Sequence, residues 1–305
     1  MLLSAVLLFV GIGLAGLGGE LFVRGVVSLA AWWRVPAGIV GATVAALATS
    51  SPELSVAISS SLRGQPGIAL GQALGSNVVN IALVLGIALV FAAIRVGRGT
   101  VIRDYPAAVA APVLVGLLAI DGSLGRIDGL VLIVVFAAWL IQTTVAARRV
   151  RDATESVLME HSRTTVIASL VVGLLLLIGA GWLVVDGAVG VSRGLGWDGF
   201  VVGAVLVALG TSTPELATMI AARRRRHDEV AVGTILGSNI VNTLLVVGAA
   251  AVIMPISVNG FETDVGIVSS ALLVLLIIPF RGGLLARWRS LPLLGTYAVV
   301  LALLT

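Results

Sequence analysis

Long apolar runs, separated by short charged gaps, divide this chain from one end to the other. Ten of them fall near residues 2–27, 37–62, 66–94, 105–120, 127–147, 164–190, 198–222, 228–254, 263–280 and 290–304. Each is long enough to cross a hydrocarbon core of about 30 Å, the fourth and the last being short. Backbone in lipid must satisfy its own hydrogen bonds, so the runs predict helices. Strict alternation of apolar and polar positions is missing, which disfavours a membrane β-barrel. The first run is too long and lacks the basic flank of a signal peptide, so it reads as the first span.

The gaps sort by charge. With ten spans, alternate gaps carry fifteen arginines on one side and only Arg63, Arg126 and Arg193 on the other. Positive residues stay inside, which places the arginine-rich gaps in the cytoplasm and both termini outside, in a multi-pass protein of the cell (inner) membrane.

One stretch occurs twice. Gly41-Ala42-Thr43-Val44-Ala45-Ala46-Leu47-Ala48-Thr49-Ser50-Ser51-Pro52-Glu53 returns as Gly203-Ala204-Val205-Leu206-Val207-Ala208-Leu209-Gly210-Thr211-Ser212-Thr213-Pro214-Glu215, at an offset of 162 residues. At the same offset Gly75-Ser76-Asn77-Val78-Val79-Asn80 meets Gly237-Ser238-Asn239-Ile240-Val241-Asn242. Each half then holds five spans, an odd number, so the second half enters the membrane upside down. The expected architecture is an all-α polytopic membrane protein of ten transmembrane helices in two inverted five-helix repeats. Residues 1–147 form the first repeat, 148–163 a cytoplasmic linker and 164–305 the second.

Composition narrows the chemistry. The chain is 59% hydrophobic and 11% charged, with mean hydropathy +1.14, which no water-soluble domain of 305 residues matches. The basic excess is all arginine, nearly all of it in the gaps, with no aromatic-interleaved patch for nucleic acid. There is no cysteine, which excludes disulfides and thiolate metal sites, and His161 and His227 lie in charged gaps. No nucleotide-binding motif, cofactor signature or obligate protein partner is evident; the lipid bilayer is the expected surrounding.

A carboxylate inside an apolar span marks a functional site. Pro52 and Pro214 have no N–H and crowd the carbonyl four residues back, so carbonyls around 46–49 and 208–211 are expected to be freed. Ala46, Thr49, Ser50 and Glu53 share one helix face, as do Ala208, Thr211, Ser212 and Glu215. Ser76 and Asn80, and Ser238 and Asn242, lie one turn apart on the following spans. Packed together, these faces make a cage of oxygens. Ca²⁺ takes about 6–8 oxygens and accepts bidentate carboxylates, and two glutamates neutralise it; Na⁺ suits subsites of hydroxyls and carbonyls. Plainer readings exist: a structural role for the glutamates at helix ends, close helix packing at Gly75-Ser76 and Gly237-Ser238, and bonds from Asn77 and Asn239 to a broken helix. Glu20 and Arg24 are spaced to pair, and Asp186 reads as an interfacial anchor or a cation-steering charge.

The motifs Thr49-Ser50-Ser51-Pro52-Glu53, Thr211-Ser212-Thr213-Pro214-Glu215, Gly75-Ser76-Asn77 and Gly237-Ser238-Asn239 resemble those of the calcium/cation antiporter superfamily and, within it, the prokaryotic sodium/calcium exchangers. The resemblance covers nearly the whole chain. It implies a secondary antiporter that exchanges Na⁺ for Ca²⁺ and is not an enzyme. It also implies Ca²⁺ bound by Glu53 and Glu215 with the Thr49 and Thr211 carbonyls. Na⁺ would sit on Ser50, Ser212, Ser76, Ser238 and the Ala46 and Ala208 carbonyls, with Asn80 and Asn242 completing the centre and spans 1 and 6 sliding as the gate. The chain departs from the pattern at Ala48, where the family usually has glycine, and at Asn242, where many members carry aspartate. The nearest alternative is an H⁺/Ca²⁺ antiporter using the same two glutamates. A cation channel and an intramembrane hydrolase belong to other classes, and the latter lacks an Asp pair or a Ser–His arrangement.

Overall fold

The computed structural model describes residues 1–32, 47, 49–149, 163–224, 228–258, 260–279 and 283–305. Linker residues 150–162, together with Ala46, Ala48 and Arg225 to His227, lie outside them. The described chain is almost wholly helical. In order it forms α1 (Leu2–Trp32), α2 (Ser51–Leu62), α3 (Pro66–Phe91), α4 (Arg98–Leu118), α5 (Arg126–Arg149), α6 (Arg163–Leu195), α7 (Gly199–Thr211), α8 (Thr213–Arg224), α9 (Asp228–Ile240 continued to Ile253), α10 (Phe261–Leu276) and α11 (Ser290–Leu304). Among the described residues six helices are long and apolar enough to cross a membrane: α1, α3, α4, α5, α6 and α9. α4 begins at Arg98, earlier than the expected 105, and runs on through Pro106 and Pro112; membrane helices tolerate such prolines where neighbours meet the freed groups.

Burial ranks the helices. The spans of α3 and α9 are 72% and 83% buried, against 28–33% for the other four, so they form the centre. Glycine makes the contact between α3 and α7. A Cβ at Gly75 would meet Ala204 Cα at 2.5 Å, and one at Gly71 would press on the Phe200 backbone. Hence only glycine permits this approach. α1 and α6 pack antiparallel along a seam of their own, where Gly11 faces Val184, Gly18 faces Leu176 and Gly25 faces Leu170. These glycines recur every seven residues, the spacing of a helix–helix seam.

Two features repeat at the 162-residue offset. α3 widens into a π segment at Val79–Leu85, and α9 does so at Val241–Val246. The second feature is a pair of antiparallel strand contacts that left no sequence signal. β1 (Ile94–Arg95) pairs with β4 (Leu284–Leu285), and β2 (Ser123–Leu124) pairs with β3 (Ile256–Ser257). β1 shifted by 162 residues is β3. Each contact ends alike: Val96 N–H donates to Gly283 O (2.7 Å) and Val258 N–H to Gly122 O (2.9 Å). Both acceptors are glycines with positive φ, +71° and +86°, a backbone that L side chains disfavour.

Candidate functional site

The two prolines break their spans in the same way. Ser50 and Ser212 leave helical geometry at φ/ψ of −87°/9° and −77°/6°, and α2 and α8 restart at the next residue. Glu53 and Glu215 therefore fall in the first turn of a new helix, where the partial positive charge of the helix N-terminus favours a carboxylate. Both are fully buried, at 0% exposure. They come from opposite halves of the chain yet act on each other electrostatically, and the Thr211 side chain lies within reach of Glu53 as Thr49 does of Glu215. A serine at a helix start ordinarily turns its hydroxyl back to cap the first turn. Here the Ser50 side chain makes no cap, and the buried hydroxyls of Ser50 and Ser212 have no hydrogen-bond partner.

The central helices supply the rest. Ser238 donates to Glu215 Oε1 (3.2 Å) and lies 3.1 Å from Thr49 Oγ1, joining α9 to both broken spans. Ser76, its counterpart, has no partner. Asn77 and Asn239 cross-link α3 and α9: Asn77 Nδ2 donates to Thr243 Oγ1 (2.7 Å), which donates to Asn239 O (2.8 Å), while Asn239 Nδ2 donates to Asn77 O (3.3 Å). Asn239 Oδ1 then accepts from Asn80 Nδ2 (3.0 Å). That bond fixes the Asn80 amide with its oxygen unpartnered, and neither amide atom of Asn242 has a partner.

Every described member of the predicted set is thus found in one region, at the junction of α2, α3, α7, α8 and α9; Ala46 falls outside the described residues. Eight side-chain oxygens of that set are buried without a hydrogen-bond partner: those of Ser50, Ser76, Asn80, Ser212 and Asn242, both of Glu53, and Oε2 of Glu215. Buried polar atoms are nearly always paired with protein groups, ordered water or ions, so the concentration marks a polar site.

One expectation is corrected. The Ala208 carbonyl is not freed; it accepts Ser212 N–H at 3.0 Å. Pro214 instead deprives Gly210 O, the carbonyl four residues back, and Thr213 Oγ1 supplies the missing donor at 2.7 Å. Asp186 also acquires a partner, since Arg63 at the end of α2 forms an ion pair with it, donates to Trp182 O (3.2 Å) and covers the Trp182 ring. The Arg24 side chain is outside the described residues, so its pairing with Glu20 is not visible. The sequence reading passed over Thr243 and Gln72; the second is fully buried and donates from Nε2 to Thr211 Oγ1 (3.3 Å). Its position one turn before Ser76, on the same face, was the available signal.

Comparison with known proteins fixes the family. The profile of the sodium/calcium exchanger protein family matches residues 3–145 and again 165–305. The chain belongs to that family. Among its relatives is the inner membrane protein YrbG of Escherichia coli, 35% identical over 84% of this chain and 81% of its own length. Another is the sodium/calcium exchanger MaX1 of Methanosarcina acetivorans, 24% identical over 94% of each chain. A solved structure of the sodium-calcium exchanger NCX_Mj, soaked with Na⁺ and Sr²⁺, superposes with a TM-score of 0.68 at 28% identity, covering 99% of this chain and 98% of that one. Sodium/calcium exchangers are antiporters, and the all-helical membrane architecture described above is theirs.

Within that family, the chemistry this site permits follows from its donors. They are carboxylate, hydroxyl and amide oxygens, with neither sulfur nor imidazole, a set that suits hard cations.

Proposed function

We propose that this exchanger moves Ca²⁺ against Na⁺ by alternating access at the site around Glu53 and Glu215. The observation that carries the reading is the meeting of two buried carboxylates, one from each half, among eight unpartnered buried oxygens. Burying two like charges is costly unless a cation joins them. One Ca²⁺ brings the site to neutrality, while three Na⁺ would leave it at +1. Competition for the same oxygens couples the two ions, because the site cannot hold both loads at once. Glu53 and Glu215 hold Ca²⁺ with Thr49 and Thr211; Ser50, Ser76, Ser212 and Ser238 with the Ala46 and Ala208 carbonyls hold Na⁺; Asn80 and Asn242 complete the centre. Ala208 O, though already accepting one N–H, has a second lone pair to offer.

The reading includes ten spans in two inverted repeats, residues 1–147 and 164–305, joined by a cytoplasmic linker. Three observations support it: the family profile matches twice, the strand contacts exchange under the repeat offset, and a hydrogen bond joins the equivalent Asn77 and Asn239 across the halves. The arginine distribution supports an inner-membrane protein with both termini outside.

The test is ⁴⁵Ca²⁺ uptake into proteoliposomes loaded with Na⁺, against Na⁺-free controls at fixed pH. Uptake that requires internal Na⁺ supports the exchange. Uptake driven equally by a pH gradient without Na⁺ replaces Na⁺ by H⁺ as the counter-ion, and no Ca²⁺ flux under either gradient refutes the substrate assignment.

A further inference from the structure

Gln72 lies outside the ligand set described above, yet its surroundings are those of a ligand. It is fully buried, and its amide oxygen has no hydrogen-bond partner. The orientation of that amide is determined by its neighbour. Thr211 has one hydroxyl proton, and both acceptors within its reach, Val207 O at 3.1 Å and the Glu53 carboxylate, draw it away from Gln72. Thr211 Oγ1 therefore faces Gln72 as an acceptor, and Gln72 must meet it with its NH₂, at 3.3 Å. The Gln72 oxygen is left one amide width from a site residue, with no donor. Leaving a buried carbonyl unpaired is destabilising, and a simple apolar residue of the same length would avoid it.

The placement is specific. Gln72, Ser76 and Asn80 occupy successive turns on one face of α3, and all three end in an unpartnered oxygen. The neighbouring backbone is held close, since a Cβ at Gly203 on α7 would meet Gln72 N at 2.8 Å. At the repeat offset the counterpart is Thr234 on α9, which carries no amide. The two halves of the site are thus unequal at this position.

We propose that Gln72 is a further cation ligand: its side-chain oxygen coordinates the hard cation held beside Thr211, and its NH₂ positions the Thr211 hydroxyl. The inference rests on the exchange reading, and deepens it by making the first half the richer in oxygen. Na⁺ and Ca²⁺ share this chemistry, and binding measurements separate them.

Equilibrium ⁴⁵Ca²⁺ binding to the purified full chain, and its displacement by Na⁺, should be compared for the wild type, Gln72→Met and Gln72→Glu. Met keeps the shape and removes both polar atoms; Glu keeps the oxygens and removes the donor. Loss of one charge-assisted contact weakens binding by about ten- to a hundredfold. The expected result is such a loss in Gln72→Met with the thermal midpoint retained, and binding in Gln72→Glu at or above the wild-type level. A rise in the Ca²⁺ dissociation constant assigns the contact to Ca²⁺; weaker displacement by Na⁺ with Ca²⁺ binding unchanged assigns it to Na⁺. If Gln72→Glu is as impaired as Gln72→Met, Gln72 only positions Thr211 and the ligand assignment is overturned. Unchanged Ca²⁺ binding together with unchanged displacement by Na⁺ in Gln72→Met overturns it as well. A wild type that binds neither cation would remove the exchange reading, and this one with it.

Discussion

Replacing Glu53 by glutamine tests the charge arithmetic directly. The substitution preserves shape and removes one of two negative charges from a site that is fully buried. A bound Ca²⁺ would then be left with an unbalanced positive charge. Two unit charges about 4 Å apart interact by about 4 kcal/mol at an effective dielectric of 20, and a unit charge with a divalent ion by about twice that; each 1.4 kcal/mol is about tenfold in affinity. Ca²⁺ binding should therefore weaken by at least about a thousandfold. The cation-free protein should respond in the opposite sense, because the change removes repulsion between two buried carboxylates that, among the described residues, form no ion pair. Thermal unfolding without divalent ions should occur at the wild-type temperature or above it, while the rise in midpoint that a bound ligand confers should disappear. The assay is ⁴⁵Ca²⁺ equilibrium binding paired with unfolding curves at increasing Ca²⁺. Binding within tenfold of wild type would show that Glu53 is not a ligand and that the neutral-complex account is wrong.

Asn242 and Gly75 offer two further tests. Both amide atoms of Asn242 are buried and unpartnered, so Asn242→Asp adds a third carboxylate to the site; Ca²⁺ should bind at least about tenfold more tightly, as read by the same binding assay. Gly75→Val places a Cβ against the Ala204 backbone at 2.5 Å, and since backbone cannot rotate away, the variant should lose about 1–3 kcal/mol of stability, seen as a lowered thermal midpoint. Gly295→Ala, with nothing within 4 Å, is the control that should leave the midpoint unchanged or raise it.

Much of the site was legible because lipid makes polar residues conspicuous. Glu53 and Glu215 stand out in apolar runs, and their recurrence at one offset ties the halves together without any structural knowledge. Gln72 did not stand out, since a lone amide on a buried helix is as consistent with packing as with coordination; only the direction of the Thr211 proton distinguishes them. Asn77 and Asn239 were expected to bond a broken helix if they were structural, and they bond the partner central helix instead. That choice depends on how α3 and α9 cross, which local sequence does not encode. The Ala208 carbonyl was misjudged because a proline's effect was spread over a turn; it falls on one carbonyl, and the Thr213 hydroxyl had already met it. Strands of two residues, such as Ile94–Arg95, are too short to show any periodicity.

Those strands have a mechanical consequence. β1 and β2 flank α4, while β3 and β4 flank α10, and the pairs join β1 to β4 and β2 to β3. The two helices also pack side by side, with Tyr105 Oη donating to Ile277 O (2.8 Å). α4 and α10 are therefore lashed together at both ends, like two uprights with a rung at top and bottom. Sliding one past the other would break both rungs at once. The α1–α6 pair is joined along its own glycine seam and, among the described residues, carries no such strand. By this bracing α4 and α10 are the pair least free to slide past one another.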